Sequence, residues 1–306
     1  MGLEQAAQLA MAGIVNGSLY GLLGVGFGLI LGVTGRFHYA FGLIFTLAAY
    51  VTSALESPAG WPIPLAVAAG LIAAMAAGVA IERWVYRPLA DAAGPLALLT
   101  IFISSLGVTI AGVNLITLAW TAFSRSVALV TIRPLHLGPT TVTTLDIALV
   151  AACWSLIMAL AAVLARTDLG RRIKAVRGNP QLAQIMGLEA GRVYLVVFAI
   201  GSLMAGAAGI IEGARFAVLP DMGTRPVVFA FVVAFLGGTR RSPPIVALAG
   251  LFIGLVESLS GLWVSPQWSS LVVFSVLFVY LAFHPVDLRK LRRDLLSGVG
   301  RHAHEH

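Results

Sequence analysis

The sequence predicts an all-α, polytopic membrane bundle of about eight or nine transmembrane helices in one domain. Three observations predict it. Hydrophobic residues make up 59% of the 306 and charged residues only 11%. An ordinary soluble domain carries about 25% charged residues, so one aqueous core could not hide this much apolar surface. Apolar runs long enough to cross hydrocarbon, about 17–25 residues, recur along the whole chain. The basic residues gather in alternate connecting segments.

The runs fall near 9–33, 39–55, 63–81, 96–119, 145–165, 193–213, 226–238, 244–262 and 269–284. The first carries glycines four apart at Gly17 and Gly21 and again at Gly24, Gly28 and Gly32. Ala205, Gly209 and Gly213 repeat the spacing in the sixth. Small residues at this interval let helix backbones approach closely in lipid. The first two runs are separated only by "TGRFH", and the seventh is short. One long connection, 120–144, is rich in threonine and holds two prolines.

Orientation follows from the basic residues. With the N-terminus outside, segment 34–38 holds one Lys or Arg, 82–95 two, 166–192 six, 239–241 two, and the tail after 284 five. These inner segments hold sixteen of the twenty; Arg125, Arg133, Arg215 and Arg225 are the four outside. That bias matches the positive-inside rule and puts the C-terminus in the cytoplasm. It also accounts for the net charge of +7 without nucleic-acid binding.

Several classes are excluded. The lone Cys153 lies inside an apolar run and can form neither an internal disulfide nor a metal cluster. The N-terminus lacks the basic region of a signal peptide. A phosphate-binding Gly-Lys-Ser/Thr loop is missing, because the two lysines, Lys174 and Lys290, follow Ile173 and Arg289. No HExxH, paired intramembrane acids or Cys/His pair suggests an enzyme. The terminal "RHAHEH" reads as a tail rather than a metal site.

The segment "DLGRRIKAVRGNPQLAQIMGL", 168–188, interrupts the apolar pattern. Asn179 suits an N-cap and Pro180 the first helical position. Gly187 can take the left-handed conformation that ends a helix. The spacing predicts a two-turn helix with Leu182, Ile185 and Met186 on one face. So short a helix is not stable alone in water. Either it lies on the membrane beside its own spans, or its apolar face docks in a groove of a soluble partner. Arg171, Arg172, Lys174 and Arg177 would then meet acidic residues or lipid headgroups.

The same segment resembles the cytoplasmic coupling loop of bacterial ABC-importer permeases of the high-affinity branched-chain amino-acid class. Gly170, Arg171, Lys174, Arg177, Ala183, Gly187 and Arg192 follow that family's order. "NGSLYGLLGVGFGLILGVTG" resembles its opening span, "ERWVYRPLA" its Arg-Pro loop and "FAIGSLMAGAAGIIEG" its sixth span. "FLGG" with "GLFIGLVESL" resembles its Gly-Gly loop and the following span. The resemblance implies a permease domain over 1–288, with a coupling loop at 166–192 and a basic cytoplasmic tail at 289–306. It implies a bacterial inner-membrane location with a periplasmic N-terminus, a second permease subunit, two cytoplasmic ATPases and a periplasmic binding protein. ATP and Mg would be held by the ATPases and no cofactor by this chain. ATPase coupling would fall to Gly170, Arg171, Arg177, Asn179, Pro180, Leu182, Ala183, Ile185, Met186 and Gly187.

Polar groups within spans are costly in lipid and face protein or a cavity. Candidates for a substrate path are Asn16 and Tyr20 in the first span, His38, Tyr39, Phe41, Gly42 and Thr46 around the second, Ser104 and Ser105 in the fourth, and Glu257 in the eighth. Ser18 and the other small polar residues serve equally as interhelical hydrogen-bonding groups. The carboxyl of Glu257 must be neutral, paired or wetted. Glu212, near the outer end of the sixth span, has Arg215 within reach. The similar family often places His and Glu where this chain has Phe41 and Leu43. If that stretch lines the path, an apolar or aromatic cargo is favoured over a small polar one; otherwise these side chains only repack against the partner subunit. Arg240 and Arg241 also depart from the family and could meet lipid phosphate or an ATPase. The alternative is an autonomous secondary transporter or channel using Glu257.

Overall fold

A computed structural model describes residues 2–57, 59–92, 94–120, 125–129, 133–138 and 140–283. The basic tail and its histidines lie outside these. Helix α1 (Leu3–Thr34) ends at Gly35, whose φ of 68° supplies the left-handed C-cap. Then follow α2 (Phe41–Glu56), α3 (Ile63–Ile81), a π-helical turn (Glu82–Tyr86), α4 (Arg87–Ala92) and α5 (Ala97–Trp120). Further on come α6 (Thr144–Arg166), α7 (Asp168–Gly178), α8 (Pro180–Ile185) and α9 (Ala190–Arg215). Last are α10 (Thr224–Gly237), α11 (Pro243–Ser260) and α12 (Ser269–Phe283).

The fold class is the expected one. Among the described residues, six helices are long and apolar enough to cross a membrane: α1, α3 with its extension, α5, α6, α9 and α11. The connection 120–144 departs from a plain loop. Strands β1 (Pro134–Leu137) and β2 (Thr140–Thr143) pair antiparallel across a turn in which Gly138 has φ 61°. Three threonines and a valine in β2 favour an extended backbone. Thr143 and Asp146 then form a reciprocal capping box that starts α6.

The glycine spacing of α1 sets the packing. A Cβ on Gly17 would lie 2.7 Å from Leu251 Cα, and one on Gly13 2.9 Å from Leu255 Cα. From the other side, Gly250 and Gly254 press on the backbones of Gly21 and Gly17. Helices α1 and α11 therefore run antiparallel in backbone contact. Lower on α1, Gly24, Gly28 and Gly32 admit Val233, Ala234 and Thr239, so α10 runs parallel to it. Against α9, Gly26 meets Met204 and Ile30 meets Gly201, an antiparallel contact.

Among the described residues three expected spans are shorter than a crossing: α12, with 15 residues, and the pair α2 and α10. Helix α2 has 16 residues and α10 has 14, about 24 and 21 Å at 1.5 Å per residue. A hydrocarbon core is about 30 Å thick. Phe45 and Ala49 of α2 lie against Gly209 and Gly213, toward the Arg215 end of α9. Helix α10 follows α1 toward Thr34, the opposite end. The two half-length helices therefore run away from each other, N-terminus to N-terminus. At the junction, a Cβ on Gly42 would lie 2.7 Å from the Gly223 carbonyl.

Each half-length helix is preceded by non-helical chain, 35–40 and 216–223. Such chain is tolerated within a membrane protein only where its polar groups find partners. In the first link, the Tyr39 amide donates to Ser105 Oγ at 3.2 Å. Arg36 forms a buried ion pair with Glu82, and His38 Nδ1 meets the Tyr86 hydroxyl at 2.8 Å. Both partners lie on the π-helical turn, whose extra residue re-aims side chains. In the second link, Val218 exchanges two backbone hydrogen bonds with Arg125. The Gly223 amide donates to Thr46 Oγ1 at 3.1 Å.

Gly250→Leu is expected to lower the thermal midpoint of the purified chain in detergent, because overpacking a close contact costs typically 1–3 kcal/mol. Gly107→Ala, where a Cβ would meet nothing within 4 Å, should leave it unchanged or raise it. Equal effects of the two would remove the α1–α11 contact as the organising feature.

Candidate functional site

The head-to-head junction opens on a small cleft. Its walls are Tyr39, Gly42, Leu43 and Thr46 around the start of α2, and Thr109 and Val113 on α5. Pro220, Asp221, Gly223, Thr224 and Val227 complete it from the second link and α10. The cleft holds only about 10 Å³, roughly the room one water needs. The cleft has no room in this conformation for a solute larger than water. The walls are mostly apolar, with hydroxyls from Tyr39, Thr46, Thr109 and Thr224 and one carboxylate from Asp221.

Tyr39, Gly42 and Thr46, expected in a substrate path, do meet here. Thr46 bridges the junction, donating to the Gly42 carbonyl at 3.1 Å while accepting from Gly223. Ser105 is fully buried just beside the cleft and is occupied by Tyr39 and by the Phe102 carbonyl at 2.8 Å. Ser104 is half-buried on another face of α5 and lines no part of the cleft.

Phe41 and His38 lie elsewhere. Phe41 is buried against Phe27, their ring centroids 5.9 Å apart, and against His38. This is packing within the chain itself, whereas the adjacent Leu43 lines the cleft. His38 is fully buried among Phe41, Tyr86 and Phe198, and its Nε2 has no hydrogen-bond partner among the described residues.

Asn16, Tyr20 and Glu257 form a separate polar group. Arg215 Nη1 donates to Asn16 Oδ1 at 3.0 Å and lies 3.4 Å from Asp146 and 3.8 Å from Glu212. This clamp ties α1, α6 and α9 together. Tyr20 stacks on Phe229 with centroids 4.6 Å apart. Arg225 Nη2 donates to Glu257 Oε1 at 2.6 Å, while Oε2 has no hydrogen-bond partner among the described residues. Glu257 sits in the last turn of α11, one turn from its end, not at its middle. Of the three states open to its carboxyl, the paired one is found.

The sequence reading missed Thr109, Val113, Asp221 and Thr224. A signal existed for the first two: Ser105, Thr109 and Val113 are four apart and share one helix face. Nothing in the sequence brings 220–224 to residue 42.

The basic segment folds as two helices. Thr167 caps α7 by accepting from the Gly170 amide, and Gly170 is pressed against the Leu164 backbone. Arg171 pairs with Asp168 in the first turn. Arg177 is partly buried near Arg240; burial, then the Arg240 guanidinium, pulls its pKa below the usual arginine value. Asn179 Oδ1 accepts from the Leu182 amide at 3.0 Å and Pro180 opens α8. Gly187, at φ 82°, ends the turn, and the Leu188 amide returns to the Ala183 carbonyl at 2.9 Å. Ala183 is the buried anchor of α8. Leu182, Ile185 and Met186 are 57, 80 and 76% exposed, so their own spans do not cover them.

Comparison with known proteins decides the class. The profile of the family described as branched-chain amino acid transport system, permease component, matches residues 9–281. The chain belongs to that family. The high-affinity branched-chain amino acid permease LivH of Escherichia coli (strain K12) is 28% identical over 295 residues, covering 90% of this chain and 92% of LivH. The corresponding permease BraD of Pseudomonas aeruginosa is 26% identical over 297 residues, covering 92% and 94%. The xylose permease XylH of Escherichia coli (strain K12) matches at 37% over 90 residues, 29% of this chain and 23% of XylH. As a member of this permease family the chain is a transport subunit, not an enzyme.

Arg225→Leu should destabilise the protein by about 1–3 kcal/mol, the usual penalty for stranding a buried polar partner. Arg225→Leu combined with Glu257→Leu should recover much of the loss, because replacing both members of such a pair is often neutral. Thermal midpoints of the two variants in the same detergent check this. A double variant less stable than the single would show that the two groups do not act as a pair.

Proposed function

We propose that this chain is one of two permease subunits of a binding-protein-dependent ABC importer in the bacterial inner membrane. Its cargo is a branched-chain or other hydrophobic amino acid, or a related small carboxylate, aromatic ones included. The observation that carries this reading is family membership over nearly the whole chain, joined to the exposed apolar face of α8. Residues 1–288 form the permease domain, 166–192 the coupling loop and 289–306 the tail. Counting each link with its half-length helix as one crossing, and α12 as another, gives nine among the described residues. The N-terminus is then periplasmic and the C-terminus cytoplasmic, as the arginine bias requires.

ATP and Mg bind two cytoplasmic ATPases that this chain does not supply, and a periplasmic binding protein delivers the cargo. The ATPases seat Leu182, Ile185 and Met186 in an apolar groove, with Gly170, Arg171, Arg177, Asn179, Pro180, Ala183 and Gly187 shaping and flanking the helix. ATP-driven closure acts only if docking stabilises one transport state over the other.

The cleft at the half-helix junction is the path. Its apolar walls suit an apolar side chain. Asp221 suits an ammonium group, and helix N-termini favour a carboxylate. Tyr39, Gly42, Thr46, Thr109, Asp221 and Thr224 are its working surface, with Ser105 holding the link in place. Asn16, Tyr20, His38, Phe41, Ser104 and Glu257 act by packing and positioning. The alternative of an autonomous transporter coupled through Glu257 is disfavoured by the place of that residue at a helix end, paired with Arg225.

Ile185→Asp, or deletion of 180–186, should abolish uptake and co-purification of the ATPases while leaving membrane insertion intact. Normal uptake by either would end the docking role. Thr109→Trp should block uptake yet keep the ATPases bound, because it fills the cleft far from α8. Unimpaired uptake would move the path elsewhere.

A further inference from the structure

A second cavity, of about 600 Å³, lies at the basic end of the bundle. Arg83 and Arg87 form one wall, from the π-helical turn and the start of α4. The turn after α8 and the first residues of α9, from Gly187 to Arg192, form the other, with Leu195 on the membrane side. Its charge is unbalanced. Arg192 pairs with Glu189. Among the described residues, no carboxylate lies within ion-pair distance of Arg83 or Arg87. Asp91, one turn beyond Arg87, is not part of the wall. The Arg87 guanidinium lies against the first turn of α9, where a Cβ on Gly191 would be 3.4 Å from it. A helix N-terminus is itself positive, so two unpaired arginines and a positive helix end share one space.

The level of the cavity identifies what neutralises it. The apolar run of α3 stops at Ile81, two residues before Arg83. The apolar run of α9 begins at Val193, one residue after Arg192. Both helices therefore leave the hydrocarbon at this level, where lipid phosphates lie. Trp84, between the two unpaired groups in the chain, is 73% exposed, as a tryptophan at the headgroup boundary is.

We propose that this cavity binds the phosphate headgroup of an anionic phospholipid, with Arg83 and Arg87 on the phosphate and Trp84 and Leu195 at the first carbons of the chains. The site is distinct from the substrate cleft and does not depend on the cargo. The bound lipid fills the space between the π-helical turn and α9 and so fixes the base on which α8 stands.

The test is native mass spectrometry of the intact transporter, ATPases present, taken from phosphatidylcholine nanodiscs doped with phosphatidylglycerol. The wild type should retain phosphatidylglycerol in preference to phosphatidylcholine. Arg83→Gln with Arg87→Gln should weaken retention roughly thirtyfold, the effect of two charges at an anionic interface. The corresponding double lysine variant should keep most of it. If the double glutamine variant does not assemble, Arg87→Gln alone should still weaken retention several-fold. Equal retention by wild type and variants would overturn the proposal. So would displacement of the lipid by millimolar inorganic phosphate, the mark of a plain anion site. Lipid bound only after the ATPases are stripped away would also overturn it, because an ATPase carboxylate would then be the natural occupant.

Discussion

The backbone contact of α1 with α11 is the constraint on which the other helices depend. Helices in lipid gain little from burying apolar side chains, since the solvent is apolar too, and close packing takes over as the source of stability. Gly13, Gly17 and Gly21 lie in direct contact with the opposite backbone at Gly250 and Gly254. That contact fixes α1 as the axis. Its remaining glycines then admit α10 on one side and α9 on another. A longer side chain at any of these positions would displace α10, and the half-helix junction with it.

The junction is the next consequence. Two helices too short to cross the membrane meet N-terminus to N-terminus, and each needs a non-helical link that must satisfy its own polar groups. Much of the chain's intramembrane polarity goes to that task. Ser105, Thr46, Tyr86 and Glu82 answer the link residues Tyr39, Gly223, His38 and Arg36. His38, Tyr39, Thr46 and Ser105, candidates for a substrate path in the sequence, are among the groups engaged in this way. Between them lies the small cleft lined by Tyr39, Thr46, Thr109 and Asp221.

Charge is distributed by the same logic. Arginines inside the bundle are paired: Arg36 with Glu82, Arg215 with Asp146, Arg225 with Glu257. Those at the basic end mostly are not. Arg83 and Arg87 face a cavity, and Arg177 lies near the like charge of Arg240. An unpaired guanidinium is tolerable where water or lipid phosphate can reach it and costly where they cannot. Positive charge left over at one end therefore marks the boundary at which the bundle meets headgroups and partners.

The sequence by itself determined the fold class, the bounds of most helices to within a few residues, the tight role of the glycines and the whole of α8. These are local properties. Hydropathy reads composition over a window, glycine spacing reads one helix face, and Asn179, Pro180 and Gly187 each act through their own backbone angles. Only the tertiary structure decided that 39–55 and 226–238 are half-length helices preceded by polar links. Hydropathy averages a link and its helix into one run, so the break is invisible to it. Only the structure joined Thr46 to Gly223 and Thr109 to Asp221, and only it turned Phe41 into the core while leaving Leu43 on the cleft. Adjacent residues on a helix point about 100° apart, and which direction holds the solute depends on helices far away in the chain.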